Sequence, residues 1–101
     1  MSLKDAEFLM FLKECGYTHP RPLPPNEWLA IGNYIYTCAI IKGDMHDRAG
    51  FKDRWCYHSY DAAKKALDEW DGVGEPKGWH RNPRTGRRRP DGNATKEYVS
   101  W

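Results

Sequence analysis

The sequence has no run of 18 apolar residues, and its first residues lack the basic start and apolar stretch of a secretory signal. We therefore expect no membrane span and a cytoplasmic protein. Its three cysteines, Cys15, Cys38 and Cys56, are an odd number in a chain without such a signal. Reduced thiols are then expected, and not a disulfide framework. A chain of 101 residues has room for one domain.

The sequence also lacks known catalytic and phosphate-binding motifs. There is no Gly-rich phosphate loop, paired-carboxylate motif or nucleophile elbow. Structural zinc sites usually have two close Cys or His pairs, whereas Cys56-Tyr57-His58 is the single close pairing here. We predict no enzyme, no metal and no cofactor. The alternatives are a metal held by Cys38, Cys56 and His58 or by residues 44–47, and a Cys56–His nucleophile pair in an activating environment.

Two segments have the spacing of amphipathic helices. Residues 3–15 place Phe8, Phe11, Leu12 and Cys15 on one face, with Ser2 as a cap and Gly16 as the end, which makes Cys15 a small core residue. Residues 62–71 form the second helix, capped by Asp61 and ended by Gly72. Its apolar positions are Ala63, Ala66, Leu67 and Trp70.

Residues 28–58 are predicted to form strands, including a central hairpin. The run from Tyr34 to Ile41 is rich in β-branched and aromatic residues on both alternating faces, which is typical of a covered strand. Cys38 and Cys56 are then expected in the core. Residues 54–58 read as the returning strand after a polar loop.

The segment 17–25 contains four prolines, so we predict a connector and neither a helix nor an inner strand. The alternative is a proline-rich ligand for a partner. A short terminal element is expected over 94–101. Together these elements predict one α+β domain, with a small antiparallel sheet, both helices packed on one face of it, and an ordered basic loop at residues 73–92.

Charge is unevenly distributed along the chain. Residues 1–76 contain nine Lys or Arg and twelve Asp or Glu, a net charge of −3, whereas residues 77–101 contain seven and two, a net charge of +5. Segregated charge points to a partner of opposite charge. We call residues 77–92 the arginine segment. It contains five arginines within nine positions: Arg81, Arg84, Arg87, Arg88 and Arg89.

The composition of the arginine segment favours contact with a polyanion or an acidic protein. Guanidinium groups pair with phosphate or carboxylate through two hydrogen bonds, and Trp79 and His80 offer flat faces for stacking. The predicted contact residues are therefore Trp79, His80, Arg81, Arg84, Arg87, Arg88 and Arg89. The alternative is structural: Trp79 anchors the loop, and some arginines pair with acids such as Asp68, Glu69, Asp71 or Glu75.

Several stretches of the sequence resemble small accessory proteins of phage and prophage genomes. The stretches are residues 54–58, 70–72, 75–81 and 85–92, within a resemblance that covers roughly residues 17–99. The resemblance implies a context in which such proteins bind nucleic acid or block a host defence such as CRISPR immunity. No residue role is implied by it.

Two functions follow as hypotheses. The first is non-specific binding of DNA or RNA in the host cytoplasm, since no recognition helix, Cys/His finger or RNA-binding strand signature supports base reading. The second is a protein-directed, anti-CRISPR-like inhibitor that uses the same basic face on an acidic partner. In either case the protein is expected as a monomer or as a homodimer through the sheet edge.

Overall fold

The apolar runs predicted as strands pair into one sheet. The computed structural model describes residues 3–33, 37–47, 50–81, 85–89 and 91–92. Within them the element order is α1(Leu3–Glu14), β1(Thr18–Leu23), β2(Glu27–Asn33), β3(Cys38–Asp44), β4(Asp53–Tyr57) and α2(Tyr60–Glu69). The strands form an antiparallel sheet in the order β1-β2-β3-β4. The predicted α+β class with a small antiparallel sheet is confirmed.

The two central strands are buried on both faces. In register, Ile31 lies opposite Ile40, and Ile40 lies opposite Trp55. Because side chains alternate along a strand, this register divides the apolar residues between two cores. The core on the α1 side contains Phe8, Leu9, Leu12, Trp28, Ala30, Ala39, Ile41 and Cys56. The core on the α2 side contains Leu29, Ile31, Ile40, Trp55, Tyr57, Ala63, Leu67 and Trp70.

The helices therefore lie on opposite faces of the sheet, and the prediction that both pack on one face is wrong. The physical reason is visible in β2 and β3, where neighbouring residues such as Ala30 and Ile31 are both fully buried. A sheet that is apolar on both faces needs a cover on each, since every exposed aliphatic side chain forgoes about 1.5–3 kcal/mol of burial.

Helix α1 ends where the sequence predicts, but its last predicted residue is not in the core. Gly16 has a φ of 97°, and Gly16 and Tyr17 donate to the carbonyls of Lys13 and Leu12. This is the Schellman arrangement, which satisfies the terminal carbonyls of a helix. Cys15 lies at this cap and is exposed, so the prediction of a core residue is wrong.

The proline-rich segment is an edge strand and not a connector. Strand β1 pairs Arg21 with Leu29 and Leu23 with Glu27. Pro20 and Pro22 are tolerated because an edge strand needs donors on only one side. The pairing is irregular between Thr18 and Arg21, where His19 has a φ of 50°.

The long predicted strand from Tyr34 to Ile41 is not one strand. Strand β2 ends at Asn33 and β3 begins at Cys38, and these two residues face each other as the last pair of a hairpin. Residues 34–36 lie outside the described residues, as does the predicted terminal element at 94–101. Helix α2 begins at Tyr60, earlier than predicted, because the side chain of Ser59 and not Asp61 caps it by accepting from the Ala62 amide.

Within the described residues, neither helix has the length and apolar character needed to cross a bilayer. Helix α2 instead buries one face, with Ala63 and Leu67 facing the sheet.

Gly43 in β3 is required by the indole of Trp28. A Cβ at Gly43 would lie closer than 3.0 Å to three atoms of that buried ring. We expect Gly43→Ala to lower the free energy of unfolding by about 1–3 kcal/mol, measured by urea denaturation, because neither the ring nor the central strand can move freely. Gly50→Ala is the control: a Cβ there makes only an ordinary contact at 3.6 Å. Equal stability of the two variants would show that the Trp28 indole does not require glycine at position 43.

Candidate functional site: the arginine segment

The arginine segment is attached to the outer edge of β4. His80 and Cys56 exchange backbone hydrogen bonds of 2.9 and 3.0 Å, which makes an isolated antiparallel bridge. Nearby, the hydroxyl of Tyr57 donates to the carbonyl of Lys77 over 2.8 Å. The segment therefore covers part of a sheet edge that would otherwise expose unpaired backbone groups.

Trp79 is part of the structure that holds the segment. Its ring packs against the α2-side core, and its indole N–H donates to the Glu75 carboxylate over 3.1 Å. The guanidinium of Arg88 lies 5.2 Å from the centre of the Trp79 ring. One face of the indole is thus occupied by a cation of the same chain, in the cation–π geometry that Arg favours.

Arg88 points inward and joins three parts of the fold. Its Nε lies 2.8 Å from Oδ1 of Asp53 at the start of β4. Its Nη1 pairs with the carboxylate of Glu75. The Arg88 side chain is only 17% exposed, so solvent screens these ion pairs less than it screens pairs on an open surface. Glu75 is one of the acids expected as partners under the structural alternative.

Arg81 also has an internal role. The residue is 5% exposed, and its Nη1 donates to the carbonyl of Gly86 over 2.8 Å. This bond links Arg81 to the next described part of the segment, residues 85–89. Residues 82–84, which include the predicted contact residue Arg84, lie outside the described residues. Burial on this scale leaves Arg81 little surface for an external partner.

His80 is buried. Its Nδ1 donates to the carbonyl of Arg81 over 2.6 Å, and the rings of His58 and His80 lie 4.8 Å apart. Burial lowers the pKa of His80 below its ordinary value of 6.5. The hydrogen bond to Arg81 raises it, and His58 adds a further lowering effect. His80 therefore favours the neutral state near pH 7.

Two predicted residues face outward. Arg87 and Arg89 are exposed on either side of the inward Arg88. The backbone of Arg87 is fixed by two contacts: its amide donates to Thr85, and its carbonyl accepts from Arg54 over 3.1 Å. Within the described part of the chain, the Arg87 guanidinium makes no hydrogen bond or ion pair. The segment thus presents cations on a backbone that is itself held in place.

Arg54 is a member of this site that the sequence analysis missed. It lies in β4, donates to both Thr85 and Arg87, and places its guanidinium 5.5 Å from the centre of the Phe51 ring. The sequence signal for this role is the position of Arg54 beside Trp55 and Cys56 in an apolar strand. A guanidinium at such a position needs hydrogen-bond acceptors from outside the sheet.

Burial disfavours the reactive, ionised form of the two thiols in this region. Cys56 is fully buried, and burial raises its pKa to about 11, so the thiolate that a nucleophile or a metal ligand requires is disfavoured. Burial also raises the pKa of Cys38. Across the described ranges, no three His, Cys, Asp or Glu residues are grouped as a metal site would require. Among the described residues, neither Cys38, Cys56 and His58 nor residues 44–47 are grouped in this way.

No protein-family model, curated protein or solved structure matches this chain.

Arg88 and Arg87 are neighbours with opposite environments, which allows a matched test. We expect Arg88→Ala to lower the free energy of unfolding by about 1–2 kcal/mol and to speed hydrogen exchange at the His80 amide, since it removes the link between Asp53 and Glu75. Arg87→Ala should stay within about 0.5 kcal/mol of the parent protein. A variant pair of equal stability, with equal His80 exchange, would show that Arg88 does not hold the segment.

His80 should make the stability of the protein depend on pH. Its pKa is lower in the folded than in the unfolded chain, so its stabilising effect is complete above its ordinary value of 6.5 and is lost as pH falls through the folded pKa. Urea denaturation at about pH 7.5 and about pH 5.5 should show this loss in the parent and in His58→Gln, but not in His80→Gln. The same pH dependence in all three proteins would rule out His80 as its source.

Proposed function

We propose that the arginine segment binds nucleic acid without sequence preference, through phosphate contacts made by Arg87 and Arg89. The observation that carries the proposal is the alternation at residues 87–89, where Arg88 is tied inward and its neighbours face the solvent. Cations on an ordered backbone lose less conformational entropy on binding than cations on a flexible tail.

Phosphate contact fits the site better than contact with bases. The faces that the sequence analysis assigned to stacking are engaged: Trp79 lies against Arg88 and in the α2-side core, and His80 is buried. Binding that relies on phosphates carries no sequence information. It should extend to single strands and duplexes and should weaken steeply with salt.

The alternative of an acidic protein partner has less support from the same residues. Protein interfaces draw most of their affinity from a few well-packed anchors, typically Trp, Tyr and Arg. Trp79 is already packed within its own chain, and the described residues offer two exposed large hydrophobic side chains, Met10 and Val73, neither of them in the arginine segment. Phosphate binding needs no such anchor.

Phage accessory proteins, which the sequence resembles, supply a context for this function. A small protein that coats or handles nucleic acid would act in the cytoplasm of the host cell. Inhibition of a host defence complex through its nucleic acid is compatible with the same chemistry, because the charged surface that recognises free nucleic acid also recognises bound strands.

The proposal is tested by fluorescence anisotropy with labelled single-stranded DNA, single-stranded RNA and duplex DNA. With two or three phosphate contacts, the logarithm of the affinity should fall with the logarithm of salt concentration with a slope of about −2 to −3 on duplex and somewhat less on single strands. Arg87→Glu/Arg89→Glu should weaken binding about tenfold or more at about 50 mM salt.

The matched control is Lys13→Glu/Lys65→Glu, which makes the same change in net charge at exposed helical positions. It should weaken binding much less than the arginine variant. No binding at about 50 mM salt, or equal losses in the two variants, would refute phosphate contact by the segment. Capture from lysate of a partner that requires Arg87 and survives nuclease treatment would also refute it. That result would favour the acidic-protein alternative.

A further inference from the structure

A groove runs along the side of α2. Two adjoining cavities of about 330 and 270 Å³ share Ala66, Glu69 and Lys77. The groove lies between the helix and the chain that follows it, with Trp70 and Tyr57 contributing to its walls. Val73, at its rim, is 76% exposed.

One end of the groove is acidic. Glu69, Asp71 and Glu75 line the larger cavity, and all three are exposed. Glu75 is engaged by Arg88 and Trp79, and Asp71 accepts a hydrogen bond from the Val73 amide. The Glu69 carboxylate makes no hydrogen bond or ion pair with other described residues. Lys77 lines both cavities, and Lys65 lines the smaller one.

The acidic end of the groove adjoins the outward arginines. Arg88, which lies between Arg87 and Arg89 in the chain, forms its ion pair with Glu75 of the groove wall. A surface patch with positive charge therefore lies next to a patch with negative charge on one protein. Two copies related by a two-fold axis can place each positive patch on the negative patch of the other, because a two-fold interface pairs the same surfaces reciprocally.

We propose that this face is a self-association surface, on which Arg87 of a second copy of the chain enters the groove and pairs with Glu69 and Asp71. The occupant is chosen by charge complementarity, since the acids of the groove match Arg87, an exposed arginine of the segment that makes no ion pair within the described chain. The exposed Val73 supplies apolar contact near the charged pairs.

Such an interface is small and strongly dependent on salt. A groove along one short helix and a single loop cannot bury the area of a standard protein interface, so the dimer belongs with weak, transient complexes. Its charged pairs are exposed, and the screening length falls from about 10 Å at 0.1 M salt to about 3 Å at 1 M. Dimerisation is thus expected at low salt and high protein concentration.

Sedimentation velocity on nuclease-treated protein, at salt concentrations of about 50 mM and about 500 mM, tests the proposal. The parent should show a monomer–dimer equilibrium that shifts to monomer at the higher salt. Glu69→Lys/Asp71→Lys and Arg87→Glu/Arg89→Glu should each weaken dimerisation about tenfold, because each makes the facing patches alike in charge. An equimolar mixture of the two variants should restore a dimer, since their reversed patches are complementary.

The control is Glu7→Lys/Glu14→Lys, which changes the net charge equally on exposed positions of α1 and should leave dimerisation unchanged. A parent that stays monomeric at about 1 mM protein and about 50 mM salt would overturn the proposal, as would a mixture that fails to restore the dimer. Growth into long assemblies would overturn the two-fold arrangement. The groove variant retains Arg87 and Arg89, so it should still bind oligonucleotides; failure of self-association is then distinct from failure of the proposed function.

Discussion

The burial of β2 and β3 on both faces is the constraint from which the rest of the architecture follows. Residues 29–31 and 39–41 are fully buried, so one helix must cover each face of the sheet. With both faces covered, the open backbone groups of the sheet lie only along its two edges. The chain treats those edges differently. Strand β1 has prolines, which lack donors, and β4 is partly covered by the arginine segment through His80.

The arginine segment combines an internal with an external role, and the division follows from which carboxylates lie within reach. Asp53 begins the very strand that the segment covers, and Glu75 lies just before the segment, so both can contact one guanidinium. Arg88 takes that position. Its neighbours in sequence then face away from the sheet, because adjacent side chains on a fixed backbone cannot all point inward. The net charge of +5 over residues 77–101 therefore overstates the positive charge that is available to a partner.

How much of this the sequence could predict depends on how local each feature is. The apolar stripe of Ala63, Leu67 and Trp70 predicts α2 because its residues lie within one short stretch of the sequence. Gly16 predicts the end of α1 because a glycine next to the helix is also a local signal. The side of the sheet on which each helix packs depends on contacts between distant parts of the chain. The signal for it in the sequence is the apolar character of both strand faces. The five arginines look alike in sequence, since their pairing with Asp53 or with the carbonyl of Gly86 exists only after the chain has folded.

Salt concentration should separate the two roles of the segment. The inward contacts of Arg88 join atoms at ion-pair distance on a side chain that is 17% exposed, and at such distances dissolved ions cannot enter between the charges. Arg87 is exposed, so solvent separates it from an approaching partner. A screening length of about 8 Å at physiological salt already weakens their electrostatic attraction. The anchored conformation should therefore persist under conditions that abolish binding of phosphates or of a second copy. That difference follows from the one-residue alternation at 87–89, in which the same side-chain type either holds the loop or faces a partner.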